Sequence, residues 1–227
     1  MKNFNQFFDF FIPRLCTSCQ TKLSPEQKFI CPDCLRSIQI AGDQRIGHEY
    51  ERKFESEKII SDLASAFIFE KDKALQHLIH SLKYNENFKV GIFLGKLVAE
   101  KLQSKLTGWE AEYIIPVPLH RLKKAERGYN QSFYLAKGIA AKHKITIKQN
   151  ILKRNRFTKT QTELDLHERK VNVKGAFALT KQKLIIDKKI ILLDDVITTG
   201  ATISECGRLL LENGAKKVFA LSVALAD

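Results

Sequence analysis

No run of apolar residues in this chain is long enough to cross a bilayer, which argues against a membrane-spanning helix. The first residues lack a basic stretch followed by a continuous apolar core and a small-residue cleavage site. No secretory signal is therefore expected, and the cytoplasm is the expected location. Neither GxxxxGKS nor GxxxxGKT occurs, which disfavours a Walker-type nucleotide site. Acids are scarce in the middle of the chain. From Val117 to Leu192 there are 5 of them against 19 lysines and arginines, while the remainder holds 20 against 19. The whole formal net charge of +13 thus comes from the middle. A local positive field of this kind attracts polyanions, and a pyrophosphate group, nucleic acid or both would fit it.

At 227 residues and 44% hydrophobic content, the chain can build one good-sized core and a small appendage. We expect an N-terminal helix, a cysteine module and a linker over 1–50, and an α/β domain over 51–227. Phe4, Phe7, Phe8 and Phe11 share one face of a predicted short helix. It lacks the basic face of a membrane-surface helix, so packing on protein is expected. Of the 5 cysteines, four form Cys16-x-x-Cys19 and Cys31-x-x-Cys34. Two such turns supply four thiolates, which predict a structural zinc (Zn²⁺) site in a cytosolic chain rather than disulfides. Redox dithiols or an iron–sulfur cluster would use the same ligands, and no strand-rich context favours either. A closed four-ligand site carries no catalysis. Cys206 is expected to be a small core residue.

The most informative stretch is Ile190 to Glu205, IILLDDVITTGATISE. Ile190 to Leu193 are apolar without alternation, as in a strand covered on both faces of a parallel sheet. The strand is expected to end at the adjacent acids Asp194 and Asp195. A loop of small residues follows, Thr198-Thr199-Gly200-Ala201. Thr202 and Glu205 then have capping-box spacing for a helix that reaches Asn213 and stops at Gly214. Unpaired N–H groups and the dipole at such a helix start seat an anion, most often phosphate. The acids would repel that phosphate, but they can accept hydrogen bonds from a diol or face a metal ion. Phosphate donors and diol acceptors on one loop point to a ribose 5-phosphate group.

Elsewhere, strands are predicted over Ala64–Phe69, Glu112–Val117 and Lys217–Ala224, with helices over Lys71–Leu82, Phe88–Leu106 and Ser132–Lys142. Leu35–Lys58 is mixed and charged and reads as a linker. Leu119–Gln131 reads as a basic loop opening a second anion-binding corner. Lys83, just past a helix and beside an aromatic, has the ordinary reading of a solvated lysine and is also a candidate for the site.

Leu192 to Thr202, LLDDVITTGAT, resembles the ribose-phosphate loop of the type I phosphoribosyltransferases, which bind phosphoribosyl pyrophosphate (PRPP) with magnesium. Together with PVPLHR from Pro116, ERGYNQS from Glu126 and the upstream CxxC pair, it resembles the ComF (GntX-like) family over nearly the full chain. That resemblance implies a parallel α/β sheet flanked by helices with a zinc module, and PRPP binding with Mg²⁺. It also implies phosphoribosyl transfer and a role in DNA uptake during natural transformation, with DNA-uptake proteins as partners. Carried over residue by residue, Asp194 and Asp195 would hold the ribose diol and are the catalytic candidates. Thr198, Thr199, Gly200, Ala201 and Thr202 would seat the 5-phosphate, and Val196 is a further PRPP-binding position. Val117, Pro118, Leu119, His120 and Arg121 would hold the pyrophosphate with Mg²⁺. Arg121 and Arg127 suit pyrophosphate because a guanidinium makes two parallel hydrogen bonds. Leu152–Phe177 is similar to the family's hood region, from which Arg154, Arg156, Thr158 and Gln161 would approach the ligand. No residue stands out as a general base, so the acceptor is not identified. The alternative is a non-catalytic accessory protein that binds single- or double-stranded DNA through the zinc module and the basic middle. Salt dependence separates the two.

Overall fold

A computed structural model describes residues 13–84, 87–156 and 173–226. The predicted helix over Phe4–Phe11, and the hood positions Thr158 and Gln161, lie outside them.

The strands are β1 (Asp62–Ile68), β2 (Tyr113–Pro116), β3 (Thr146–Ile147), β4 (Leu152–Arg154), β5 (Phe177–Leu179), β6 (Lys189–Ile197) and β7 (Lys217–Leu225). Five of them form a parallel sheet in the order β1-β7-β6-β2-β3, while β4 and β5 make a separate antiparallel pair. The helices are α1 (Pro32–Arg36), α2 (Asp43–Lys53), α3 (Ala74–Tyr84), α4 (Phe88–Lys101), α5 (Gln103–Trp109), α6 (Arg121–Arg127), α7 (Gln131–Ala140) and α8 (Ala201–Glu212).

The unbroken apolar run of β6 follows from burial on both faces. Successive side chains of a strand point to opposite sides. Ile191 and Leu193 join one core with Leu78, Leu94 and Leu135 of α3, α4 and α7. Ile190 and Leu192 join the other with Ile203, Cys206 and Leu210 of α8. The same split runs along β7, with Phe219 and Leu221 on the first side and Val218 and Ala220 on the second. Cys206 is fully buried there, as expected. The helices α4 and α7 touch backbone to backbone: a Cβ on Gly95 would lie 2.1 Å from Leu135 O, and one on Gly138 would lie 2.3 Å from Ile92 O. Trp109, at the end of α5, stacks on Phe219 with centroids 4.8 Å apart, and its indole N–H donates to Asp62 Oδ2 at 2.9 Å.

Three expectations are corrected. The single helix over Phe88–Leu106 is two helices, α4 and α5, parted at Leu102 with φ −108° and ψ 21°. Residues four apart drift about 40° around a helix at each step, so a straight helix would carry Leu106 off the core face. The break returns Leu106 and Trp109 to it, at 6% and 5% exposure. The expected linker holds α2, whose Ile46 and Tyr50 pack with the following Phe54 in the second core. Ahead of α2 the chain lies along the edge of β1, with Ala41 N–H donating to Ala66 O and Ile68 N–H to Gln39 O. The basic segment after β2 is mostly helix, α6, capped by the His120 side chain accepting from Leu122 N–H at 3.3 Å.

The cysteine module packs on this body. Cys16, Leu23, Ile30 and Cys31 share the first core with α3 and α4, and Phe29 meets Phe93 at 5.5 Å.

Candidate functional site

The site forms where β2 stops and β6 continues. Pro116↔Leu193 is the last register pair between them, whereas β6 pairs with β7 through Ile197↔Leu225. Asp194 and Asp195 thus lie within the strand, beyond the end of β2, at the carboxyl edge of the sheet. Asn130 ties the two sides together. Its amide donates to Val117 O at 3.0 Å, and its carbonyl caps α7 by accepting from Ser132 N–H at 3.1 Å. This places Ser132, whose hydroxyl donates to Asp194 Oδ1 at 3.3 Å.

The two acids differ in their surroundings. Asp194 Oδ1 also accepts from Asp195 N–H at 2.9 Å. Burial, and then the charge of Asp195, push its carboxyl up to about 7. Burial works against the charge of Asp195 too, but the Lys83 ammonium overcomes it and holds Asp195 below the usual range. Lys83 Nζ lies 2.6 Å from Asp195 Oδ2, and Val196 N–H donates to Oδ1 at 2.9 Å. The pair therefore favours one charge on Asp195 with the proton on Asp194.

The small-residue loop leads into α8 as expected, but its cap differs. Gly200, at φ +79°, is the N-cap, so the cap residue itself offers no side chain to the helix start. Glu205 is not part of a capping box: it accepts from Gly175 N–H at 2.6 Å and pairs with Arg208 at 2.9 Å. Ala201 N–H meets Thr199 Oγ1 at 3.4 Å. The first-turn N–H groups have no acceptor within the helix, and they open toward the same space as the acids.

That space is a cleft of about 490 Å³, large enough for a phosphorylated sugar. It is lined by Val117, Pro118 and Leu119 on the β2 side, by Arg127 and Arg154, and by Asp194, Asp195, Val196, Thr198, Thr199, Gly200, Ala201 and Thr202. His120 and Arg121 do not line it: His120 is buried as the cap of α6, and Arg121 points to solvent. Arg156 donates to Lys174 O at 2.8 Å, away from the lining. The sequence reading missed Lys123, Gln131, His80 and Tyr84, all of which line the cleft. With the segment folded as α6, Lys123 and Arg127 fall at i and i+4 on one face. That spacing was the available signal.

The cations crowd one another. Burial, then Arg127, Arg154 and Lys83 nearby, lower the Lys123 ammonium. Burial lowers Arg154 as well, opposed by Asp194. The Arg127 guanidinium lies over the Tyr84 ring at 5.3 Å, and His80 meets that ring at 4.7 Å. Four cations thus face two acids that share a proton. Among the described lining residues positive charge outnumbers negative, a balance that a polyanion would redress.

In the N-terminal module, Cys16, Cys19, Cys31 and Cys34 place their sulfurs within 4.8 Å of one another, with Cys19 and Cys31 at 3.7 Å. Zn–S bonds of about 2.3 Å set the sulfurs of a tetrahedral site roughly 3.8 Å apart, so four thiolates here could hold zinc. Cys31 N–H donates to Cys16 Sγ at 3.4 Å and Cys34 N–H to Cys31 Sγ at 3.5 Å. Such bonds support sulfur in its charged form. The Thr21 hydroxyl and N–H draw Cys19 down to about 6, while burial and neighbouring thiols push Cys34 up to about 12.

The phosphoribosyl transferase domain family matches residues 130–226, the part of the chain that holds the acid pair and the glycine-capped helix. The chain is a homologue of the competence protein F, YhgH and ComFC proteins. It is 29% identical to competence protein F of Haemophilus influenzae over 216 residues, 93% of this chain and 90% of that protein. To DNA utilization protein YhgH of Salmonella typhimurium it is 27% identical over 227 residues, 91% of this chain and 95% of that protein. To competence protein ComFC of Bacillus subtilis it is 26% identical over 202 residues, 88% of this chain and 79% of that protein. No helix among the described residues is long and apolar enough to cross a membrane.

Proposed function

We propose that the cleft binds PRPP with Mg²⁺ and transfers its phosphoribosyl group to a nucleophilic acceptor. The observation that carries this reading is the meeting of three features in one cleft. These are a helix start that seats phosphate, an acid pair beyond the end of β2, and Lys83, Lys123, Arg127 and Arg154 facing them. Thr198–Thr202 would take the 5-phosphate, Asp194 and Asp195 the ribose diol, and Val117, Pro118 and Leu119 with Lys123 and Arg127 the pyrophosphate. In the reaction the bond from the anomeric carbon to pyrophosphate oxygen breaks and pyrophosphate leaves with the electron pair. The acceptor's lone pair forms the new bond. The residues contribute by positioning the ribose, stabilising charge on the leaving group and excluding water.

Mg²⁺ typically keeps several waters and binds through substrate phosphates with one or two carboxylates. It would accordingly arrive on the pyrophosphate, beside the loop after β2, and take up leaving-group charge there. The four cysteines would hold a structural Zn²⁺. The names of the homologues support a role in competence and DNA utilization.

A second reading, direct DNA binding, is favoured by cations set over aromatic rings near the cleft. Arg127 lies over the Tyr84 ring in the cleft, and on α7 Lys137 Nζ lies 4.8 Å from the Phe133 ring and 5.1 Å from Tyr134. Bases stack on such rings while cations track the backbone. That affinity would fall steeply with salt.

A calorimetric titration with PRPP, with and without Mg²⁺, tests the main reading. Saturable binding that Mg²⁺ strengthens is expected. No binding in either condition would overturn it.

A further inference from the structure

The structure places one cation where the ligand's diol would have to bind. Lys83 stands at the end of α3, an element fixed by Leu78, Ile79 and Leu82 in the core. The Tyr129 hydroxyl donates to Leu82 O at 2.5 Å and pins the turn that carries it. From there Nζ reaches Asp195 Oδ2 at 2.6 Å, and the lysine side chain is 23% exposed against 7% for the aspartate. Asp195 Oδ1 is occupied as well, by Val196 N–H. Both oxygens of the charged acid are therefore engaged before any ligand arrives. Behind Lys83 lie Lys123, Arg127 and Arg154, with which it shares the cleft wall. Lys83 also lies outside the residues matched by the phosphoribosyl transferase domain family.

We propose that Lys83 is a displaceable counter-ion that makes the cleft selective for a diol carrying a neighbouring pyrophosphate. A ligand with the diol alone must break the ion pair at Asp195 and leaves the ammonium uncompensated among like charges. A ligand whose next carbon bears a pyrophosphate offers that ammonium a new anion as the diol takes its place. Lys83 thus penalises ribose 5-phosphate and favours PRPP, which differ in that one group. The inference rests on the PRPP reading.

The test compares dissociation constants of PRPP with Mg²⁺ and of ribose 5-phosphate for wild type, Lys83→Met and Lys83→Arg. Wild type should prefer PRPP. Lys83→Met should weaken PRPP at least about tenfold and leave ribose 5-phosphate equal or tighter, so the preference ratio falls. Lys83→Arg should keep most of the ratio. Lys83→Gln keeps a donor over Asp195 without the charge, and should show the same fall in ratio if Lys83→Met does not fold. Wild type that binds PRPP, with a ratio unchanged in the neutral variant, would overturn the selectivity role and leave the PRPP reading standing. Equal weakening of both ligands would assign Lys83 a merely structural role. Wild type that does not bind PRPP would overturn the parent reading and this one with it.

Discussion

Phe54 lies directly behind Gly200: a Cβ on the glycine would come within 2.8 Å of Phe54 Cε1. Its neighbour Lys53, also buried, donates to Ala226 O at 3.1 Å and pairs with the buried Glu49 at 2.8 Å. The loop between β6 and α8 is therefore backed by the end of α2 and by Phe54, in a stretch that reads as a charged connector.

Gly200→Ala should destabilise the empty protein by about 1–3 kcal/mol, because an alanine at positive φ is strained and its methyl meets Phe54. In a Phe54→Leu background the penalty of Gly200→Ala should shrink but not vanish, since the φ strain remains. Urea unfolding of the four proteins of this cycle measures both parts. An identical penalty in the two backgrounds would refute the packing contribution.

The acid pair should respond to pH with opposite signs. Asp194 is raised from 3.8 to about 7 by burial and by Asp195, within reach of Lys83, Arg154, Ser132 and Cys206. Between those pH values the folded state holds a proton that the unfolded state has lost. Stability associated with this group is thus full below about 4 and lost as pH rises through 7. Asp194→Asn should raise the melting temperature most at pH 8, less at pH 5 and little at pH 4. Asp195 is depressed, so its contribution is present above 3.8 and is lost on acidification. Asp195→Asn should lower the melting temperature at pH 8, leaving Lys83 unpaired. Each substitution should weaken PRPP by about 1.5–3 kcal/mol, while inorganic sulfate, which needs only the start of α8, binds as well or better. A pH-independent gain for Asp194→Asn would contradict the shared-proton account.

Zinc removal should be felt beyond the module. Elemental analysis of protein purified without added metal should find one Zn²⁺ per chain. Cys16 and Cys31 belong to the same core as Leu78 and Leu94. Chelation, or Cys31→Ser, should therefore lower the melting temperature of the whole chain rather than release a separate early transition. An unchanged melting curve after the metal is stripped would count against a structural role.

The strands at the centre of the sheet were legible because burial on both faces leaves its mark in consecutive residues, as in Ile190–Leu193. The cysteine cluster and the small-residue loop before α8 were legible because their chemistry is local. What escaped reading depended on contacts across the chain. The stripe of Ile46 and Tyr50 on α2 and the following Phe54 is at i, i+4 and i+8, but it is thin among charges, and those charges are explained by the buried Glu49, which pairs with the buried Lys53 and with the more exposed Arg52 and Arg45. Thr202 and Glu205 have capping-box spacing, yet Gly175 N–H and Arg208 claim the glutamate. Taking the segment after β2 as a loop singled out Arg121 beside Arg127, whereas the helix there presents Lys123 with Arg127 to the cleft. Lys83 could be singled out only as a candidate, since its partner lies in a distant strand.

Trp109 is the chain's single tryptophan, clamped between Phe219 and the Asp62 carboxylate at the amino ends of β1 and β7. The cleft opens at the opposite, carboxyl edge. The chain thus carries a natural optical probe of sheet integrity. Its emission will follow global unfolding, and it will stay nearly silent while ligands come and go at the far end of the strands.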